Sequence, residues 1–181
     1  IAYIYGKMKF LSPTLTDPVY VPKQQYSLYD KFWLRIMNDK RDLPFIYLLT
    51  KIHILVVPVA ILLFTPVLTG WWWWAVAIPY FYVSQLYFKG RFGLMFHCLC
   101  HRKTLKAPYQ QPFHTYITWI LCPLFGHAPE GYFSHHMGMH HIENNLPDDT
   151  SSTMPYQRDS LKDFLAYFFK FIFRGVIDTI R

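Results

Sequence analysis

The chain has 181 residues, of which 52% are hydrophobic, 20% aromatic and only 16% charged. This apolar content is high for a water-soluble domain. Three cysteines without a CxxC pair argue against a disulfide framework and a zinc ribbon. A net charge of +7 would suggest nucleic acid in a soluble protein. Here it is better explained by basic loops beside an anionic membrane leaflet, so we expect no nucleic-acid partner.

The N-terminal part predicts a surface segment followed by a short helix. Residues 1–26 contain "SPTLTDP" and "YVPKQQ", which are turn-rich and typical of a segment that runs over a surface. Ser27 can cap a helix in which Leu28, Phe32 and Ile36 recur every four residues. We expect this amphipathic helix to lie in the headgroup region of a membrane.

Two apolar blocks follow, with almost no charge apart from Lys51. A helix over Leu43 to Phe64 would be about 33 Å long, enough to cross a hydrocarbon core of about 30 Å. Trp71 to Phe88 predicts a second, shorter crossing. Lys51 and His53 lie near the entry side of the first span, where a lysine can extend to the interface. The sequence predicts a transmembrane helical hairpin over 43–88, with a buried hairpin of a soluble protein as the alternative.

Basic residues flank both blocks, and the turn between the blocks has no charge. They are Lys31, Arg35, Lys40 and Arg41 before the first block, and Lys89, Arg91, Arg102, Lys103 and Lys106 after the second. By the positive-inside rule both ends face the cytosol, or its stromal or matrix equivalent. Trp71 to Trp74 fit an interfacial aromatic belt, or a contact with a partner subunit. We expect an integral protein of the endoplasmic reticulum or of a plastid or mitochondrial membrane.

The remaining apolar segments are too short or too amphipathic to cross. Residues 113–125 predict a re-entrant or interfacial piece. In a helix beginning near Leu161, one face is shared by Leu161, Phe164, Leu165, Phe168, Phe169 and Ile172. The predicted fold is an all-α membrane protein with three regions: 1–42 as surface segment and interfacial helix, 43–88 as hairpin, and 89–181 as histidine region with interfacial helices.

Six of the nine histidines fall in two clusters. "HCLCH" contains His97 and His101, and the members of "HHMGMHH" are His135, His136, His140 and His141. Helical residues four apart share a face, so His97 with His101, and His136 with His140, can each approach a metal from one side. An α-helix rotates His141 by about 100° from His140, which suits two neighbouring ions or two positions on one ion.

The donor set narrows the class of metal site. Imidazole suits iron, zinc and copper. The absence of paired carboxylates or cysteine ligands argues against a soluble carboxylate di-iron site and against structural zinc. His135 is either a ligand or an outer group, and His127, in "FGHAPEGYFSHH", is a further candidate ligand beside its ordinary interpretation as a hydrogen-bonding loop residue. His53 and His114 lack histidine partners and are interpreted as structural or interfacial.

At these residues the sequence resembles the membrane fatty-acid desaturase and hydroxylase superfamily, whose histidine boxes hold two irons on the cytosolic side of a helical hairpin. The resemblance covers roughly residues 43–174: hairpin, HxxxH directly after the second span, interfacial segment, HxxxHH, "IENN" and an amphipathic helix. It implies that the iron ligands are His97, His101, His136, His140 and His141. It also implies that Glu143 orients an imidazole, although a solvated loop acid is an equal interpretation.

The resemblance implies an iron-dependent, O2-using desaturase or hydroxylase of fatty acyl chains or related lipids. Electrons would come from a b-type cytochrome or a ferredoxin, and the acyl chain would enter from the bilayer. Removal of hydrogen from an unactivated methylene needs a redox metal, because no acid or base side chain can do it. The alternative is a non-catalytic membrane subunit derived from this family, which binds lipid and partner subunits in a larger complex.

The family pattern also has a second pair of spans and a third box, usually HxxHH, which these 181 residues do not contain. Ile1 is not an initiator, and the helical pattern reaches Arg181 without an end signal. We therefore expect the natural chain to continue into two more spans and a third histidine cluster.

Overall fold

The computed structural model describes residues 19–149 and 151–180. Most of the predicted surface segment, residues 1–18, therefore lies outside the described residues. Within the described part every regular element is helical, and the backbone pairing of Met37 with Leu105 is an isolated bridge rather than a strand. The all-helical prediction is confirmed for that part of the chain.

Six helical segments follow one another. The first three are α1 (Leu28–Ile36), α2 (Lys40–Leu63, with a 3₁₀ turn at Lys40–Asp42 before Leu43–Leu55 and Val57–Leu63) and α3 (residues 70–101, comprising Gly70–Phe81, the π-helical Tyr82–Phe88 and Lys89–His101). The others are α4 (residues 110–124, comprising Gln110–Tyr116, the π-helical Ile117–Leu121 and Cys122–Leu124), α5 (residues 131–143, comprising Gly131–His135, the π-helical His136–His140 and His141–Glu143) and α6 (Leu161–Ile180).

Helix α1 begins where the sequence predicts. The Ser27 side chain accepts a hydrogen bond from the Asp30 backbone N–H, and the Asp30 carboxylate accepts one from the Ser27 N–H, which forms a capping box. Asp30 is buried, and it also accepts hydrogen bonds from Lys23 at 2.8 Å and from the Tyr47 hydroxyl at 2.5 Å. Since Tyr47 belongs to α2, one buried carboxylate both caps α1 and ties it to the next helix.

Among the described residues, α2 is the one helix that is long and apolar enough to cross a membrane. Pro44 stands in its first turn, where the missing N–H costs no hydrogen bond, and aliphatic residues continue to Leu63. Helix α3 has the length for a crossing, but much of its predicted span consists of Trp and Tyr, which are less hydrophobic than aliphatic residues. The second predicted span therefore stays a prediction.

Helices α2 and α3 run antiparallel. Their joining turn is fixed by the Trp73 indole N–H, which donates to the Leu63 carbonyl at 3.0 Å. One groove between the helices is lined by Leu48 and Leu94, and another, nearer the turn, is lined by Val59 and Val76. The predicted hairpin is thus present as a helical pair.

Most of the buried core lies in the half of this pair that carries the basic residues. Phe92 of α3 stacks on Phe125 at a ring-centroid distance of 4.4 Å, and Ile52 of α2 and Leu121 of α4 are buried in the same cluster. Toward the turn the apolar side chains are exposed, with Trp71 at 87%. The molecule therefore combines a packed end, which supports the histidines, with an apolar end that lacks a protein cover among the described residues.

We expect Arg102→Gln to lower the free energy of unfolding by about 1–2 kcal/mol, because the variant loses a charge-assisted hydrogen bond to a buried carboxylate. Solvent at the half-exposed arginine weakens this bond in the original protein, so the loss is no larger. Arg102 donates to Asp42, which is buried at the start of α2. Thermal unfolding in a mild detergent measures the change. Lys103→Gln is the control, since Lys103 is exposed and its side chain has no ion-pair partner within the described ranges. Equal melting temperatures for the two variants would contradict this assignment.

Candidate metal centre

The two histidine clusters meet where the end of α3 packs against α5. Phe96 is buried in the core and packs on Tyr132, with the two ring centroids 5.2 Å apart. This contact holds α5 over the last turns of α3. His97 and His101 project from α3 into this contact, and their ring centroids are 4.4 and 5.1 Å from that of His136. Residues 35 positions apart in sequence therefore lie side by side.

Three imidazoles form a compact set of donors. Each of His97, His101 and His136 offers one ring nitrogen, and the three nitrogens lie within 4.8 Å of one another. His136 is buried, His97 is half-buried and His101 is exposed, so the set opens to solvent on one side. Such a set is deep enough to fix the rings and open enough for small molecules to reach it.

The nitrogen separations fit ligands of a common cation. Nε2 of His136 is 3.0 Å from Nε2 of His101 and 3.1 Å from Nε2 of His141. Two nitrogens at right angles on one metal, each bonded at about 2.1 Å, would lie about 3.0 Å apart. Lone pairs of neutral imidazoles aimed at each other repel unless a proton or a cation lies between them, so this arrangement is suited to binding a metal.

A π-helical turn explains how His141 joins the set. The His141 backbone N–H donates to the His136 carbonyl, an i→i+5 hydrogen bond that closes the π-helical turn His136–His140. In this wider turn His140 and His141, four and five residues after His136, both lie on the same side of the helix as His136. His140 stacks near His136 with centroids 5.6 Å apart, and His141 approaches edge-on at 4.5 Å. The turn therefore brings His141, as well as His140, beside His136.

A buried carboxylate orients His140. Nδ1 of His140 lies 2.7 Å from Oδ2 of Asp149, and the Ser151 hydroxyl is 3.0 Å from the same nitrogen. Asp149 is 1% exposed and also accepts from the backbone N–H groups of Asn145 and Ser151. Although burial raises the pKa of Asp149, hydrogen bonds from Ser151 and His140 hold it at about 2. The ionised carboxylate therefore accepts a hydrogen bond from the Nδ1–H of His140. In this tautomer Nε2 of His140 carries a free lone pair.

Tyr132 plays the corresponding part for His97. Its hydroxyl oxygen lies 3.3 Å from Nδ1 of His97, so an Nδ1–H can donate to it and leave Nε2 unprotonated. The same ring stacks on His136, with centroids 5.4 Å apart and planes at 23°. Tyr132 thus limits the rotation of two candidate ligands at once.

Burial favours the neutral imidazole of His136, the form that binds metals. Burial, together with the nearby His97, His141 and His101, lowers the pKa of His136 to about 4. Burial likewise raises the pKa of the Cys100 thiol to about 11, which keeps it protonated beside the cluster. The donors available at neutral pH are therefore ring nitrogens.

The other candidate residues lie around the cluster. His135 packs edge-on against Phe171 of α6, at 5.8 Å, and His127 stacks on Phe92 and meets Tyr132 edge-on. Glu143 is half-buried at the end of α5, and among the described contacts no imidazole pairs with it. The carboxylate that hydrogen-bonds an imidazole of the cluster is that of Asp149, not that of Glu143. His53 bonds Tyr116 through Nε2 at 2.5 Å, away from the centre.

Asp149 and Tyr132 are the functional candidates that sequence reasoning missed. Asp149 follows His140 by nine residues in the polar loop "NNLPDDTSS", where its acid resembles any solvated loop carboxylate. The turn-forming residues of "PDDTSS" could have indicated it. In such turns an Asp side chain often accepts hydrogen bonds from backbone N–H groups and is thereby fixed near the helix end. Tyr132 lies three residues before His135 and carries no comparable signal.

Comparison with known proteins gives no relative. No family model, no curated protein and no solved structure matches this chain.

Proposed function

We propose that this chain carries a histidine-bound iron centre at the basic face of a membrane and acts in the O2-dependent desaturation, or hydroxylation, of lipid acyl chains. The observation that carries the proposal is the convergence of imidazole nitrogens from two distant clusters, with Nε2 separations of 3.0 and 3.1 Å around His136. The resemblance of the same histidines to the boxes of membrane desaturases and hydroxylases supplies the reaction class.

The residues fit a metal of the iron, zinc and copper group. All five donors are imidazoles, which these metals accept, whereas magnesium and calcium prefer oxygen. His97, His101 and His136 would hold one ion, and His140 and His141, whose rings also lie beside that of His136, would serve a second. Iron supplies the one-electron and O2 chemistry that cleavage of an unactivated C–H bond needs.

The side chains of this chain contribute orientation and access. Asp149 accepts a hydrogen bond from Nδ1–H of His140, and Tyr132 accepts one from Nδ1–H of His97. These hydrogen bonds fix the tautomer and the orientation of each ring. Exposed His101 and His141 leave one side of the cluster open to water, where an electron donor such as a b-type cytochrome or ferredoxin can approach. The core under the cluster, including Phe92 and Phe96, is fully buried and keeps the other side dry.

The proposed membrane placement is supported by how little of α2 is buried. A core helix of a soluble protein is mostly covered, but only 28% of the most apolar window of α2 is buried. Exposed apolar residues continue around the turn, with Phe64 at 90% and Trp72 at 75%, while the basic residues lie at the other end. Helix α6 exposes Phe164, Phe169 and Phe173, which suits a helix lying on the same membrane face.

The exposed aromatic surface also favours a second candidate, a non-catalytic membrane subunit that uses the family fold to bind lipid and neighbouring subunits. Trp71 is 87% exposed, and a run of four tryptophans can pack against a partner as well as against lipid. Metal content separates the two candidates, because a subunit needs no redox metal.

For the enzyme we expect roughly two irons per chain in the intact protein purified after growth with iron, by its resemblance to di-iron membrane enzymes. His140→Ala should lose a large share of this iron, since its ring lies beside those of His136 and His141. Elemental analysis measures the metal. Oxidation of a defined acyl lipid, supplied with reductant and O2 and followed by mass spectrometry, measures the reaction.

His114→Ala is the matched control, since no side-chain hydrogen bond or ring contact of His114 is found among the described residues. Metal-free protein that stays assembled with partner subunits would reject the enzyme in favour of the subunit. Zinc or copper in place of iron would reject the reaction class while keeping the metal centre.

A further inference from the structure

A continuous apolar groove runs along one side of the α2 and α3 pair, away from the histidines. It consists of three adjoining cavities of about 350, 650 and 420 Å³. Lys51, Tyr87 and Phe88 line both the first and the second cavity, and Leu55 and Val83 line both the second and the third. From Leu48 to Val59 on α2 the groove is therefore about 16 Å long.

Two cations, Lys51 and Arg91, line the first cavity of this groove. The Arg91 guanidinium lies 4.0 Å from the centroid of the Tyr87 ring and donates to the Tyr87 carbonyl, so it is held at the groove wall. Lys51 lines the same cavity from α2. No lining residue is acidic, and neither cation belongs to an ion pair within residues 19–149 and 151–180. Two positive charges thus lie unneutralised beside apolar walls.

The position of these charges along the helices matches a lipid headgroup level. Arg91 follows directly on the apolar segment of α3 that ends at Phe88, on the basic side of the proposed membrane. Lys51 shares a cavity with Arg91, so it lies at a similar level rather than in the middle of the hydrocarbon. At that level the anionic groups of the bilayer are phosphates, which arginine binds with two parallel N–H groups and lysine as a point charge.

We propose that this groove binds one anionic glycerophospholipid, with its phosphate between Lys51 and Arg91 and an acyl chain running past Leu55 and Val83 toward Val59. Charge selects this occupant. A zwitterionic lipid brings its own cation to a site that already has two, whereas an anionic lipid brings a negative charge without one. The proposal rests on the proposed membrane placement but not on the metal centre, because no lining residue is a histidine of the cluster.

Native mass spectrometry of the full chain in mild detergent tests the site, with equimolar phosphatidylglycerol, phosphatidylcholine and oleate added. We expect one phosphatidylglycerol to be retained at least fivefold in preference to the other two. In the double variant Lys51→Gln with Arg91→Gln, this retention should fall at least tenfold. Both side chains are exposed, so the substitutions leave the buried core intact.

Two further variants separate the site from general charge effects. Lys103→Gln with Arg158→Gln removes the same charge at exposed positions outside the groove and should leave retention within twofold of the original. Val83→Trp fills the junction of two cavities without changing charge and should lower retention severalfold. Equal retention of all three lipids, preferential retention of oleate, or equal losses in both double variants would each overturn the proposal.

Alkaline carbonate extraction, carried out in parallel, keeps this result distinct from the proposed function. Protein that stays in the membrane, keeps its iron and retains no phosphatidylglycerol would overturn the lipid site alone. Protein released by carbonate would overturn the membrane placement and, with it, the lipid site.

Discussion

Replacement of His136 by alanine should reduce metal affinity more than about 100-fold, the largest loss expected of any single histidine. His136 is the buried centre of the cluster, and its Nε2 lies 3.0 Å from that of His101 and 3.1 Å from that of His141. Removal of an outer partner of a ligand costs about 10–100-fold, so loss of a central ligand should exceed this range. Competition with a chelator of known affinity measures the change.

His114→Ala serves as the comparison because His114 lies in α4, outside the cluster, and is likewise not fully exposed. Unfolding of both variants without metal should be compared as well, since Tyr132 stacks on His136 and loses that contact in the variant. A His136→Ala protein that binds metal as tightly as the His114→Ala protein would reject the convergent site.

Much of the fold could be predicted because its determinants are local. The Ser27 capping box, Pro44 in the first turn and the long aliphatic run of α2 all act within a few residues of one another. The face shared by Phe164, Phe168 and Ile172 in α6 likewise follows from helical spacing alone. These elements appear in the structure where the sequence predicts them.

The geometry of the site could be predicted only in part, since it depends on a departure from α-helical spacing. Spacing by four correctly pairs His97 with His101, but the π-helical turn at His136–His140 brings His141 beside His136 as well. A π-helical turn contains an extra residue, and no local sequence pattern predicts it. Convergence of α3 and α5 depends on the contact of Phe96 with Tyr132.

Asp149 shows why the choice of the orienting acid could not be made from sequence. Glu143 lies closer to the histidines along the chain, yet it is Asp149 that reaches Nδ1 of His140, because the loop after α5 folds back. Asn144 and Asn145 adopt left-handed backbone conformations, with φ of 46° and 62°, and so end the helix and reverse the chain. Backbone hydrogen bonds from Asn145 and Ser151 then hold the carboxylate in place.

Asp149→Ala should therefore weaken metal binding by about 10–100-fold, although Asp149 is not itself a proposed ligand. Without this carboxylate His140 can rotate or shift its proton to Nε2, which removes the lone pair that we propose binds the metal. Asp148→Ala is the matched control, because Asp148 is adjacent and exposed and takes part in no ion pair in the described part of the chain. Asp149→Glu should recover part of the affinity if its longer side chain still reaches Nδ1. Equal metal affinities for Asp149→Ala and Asp148→Ala would show that the carboxylate does not orient the imidazole.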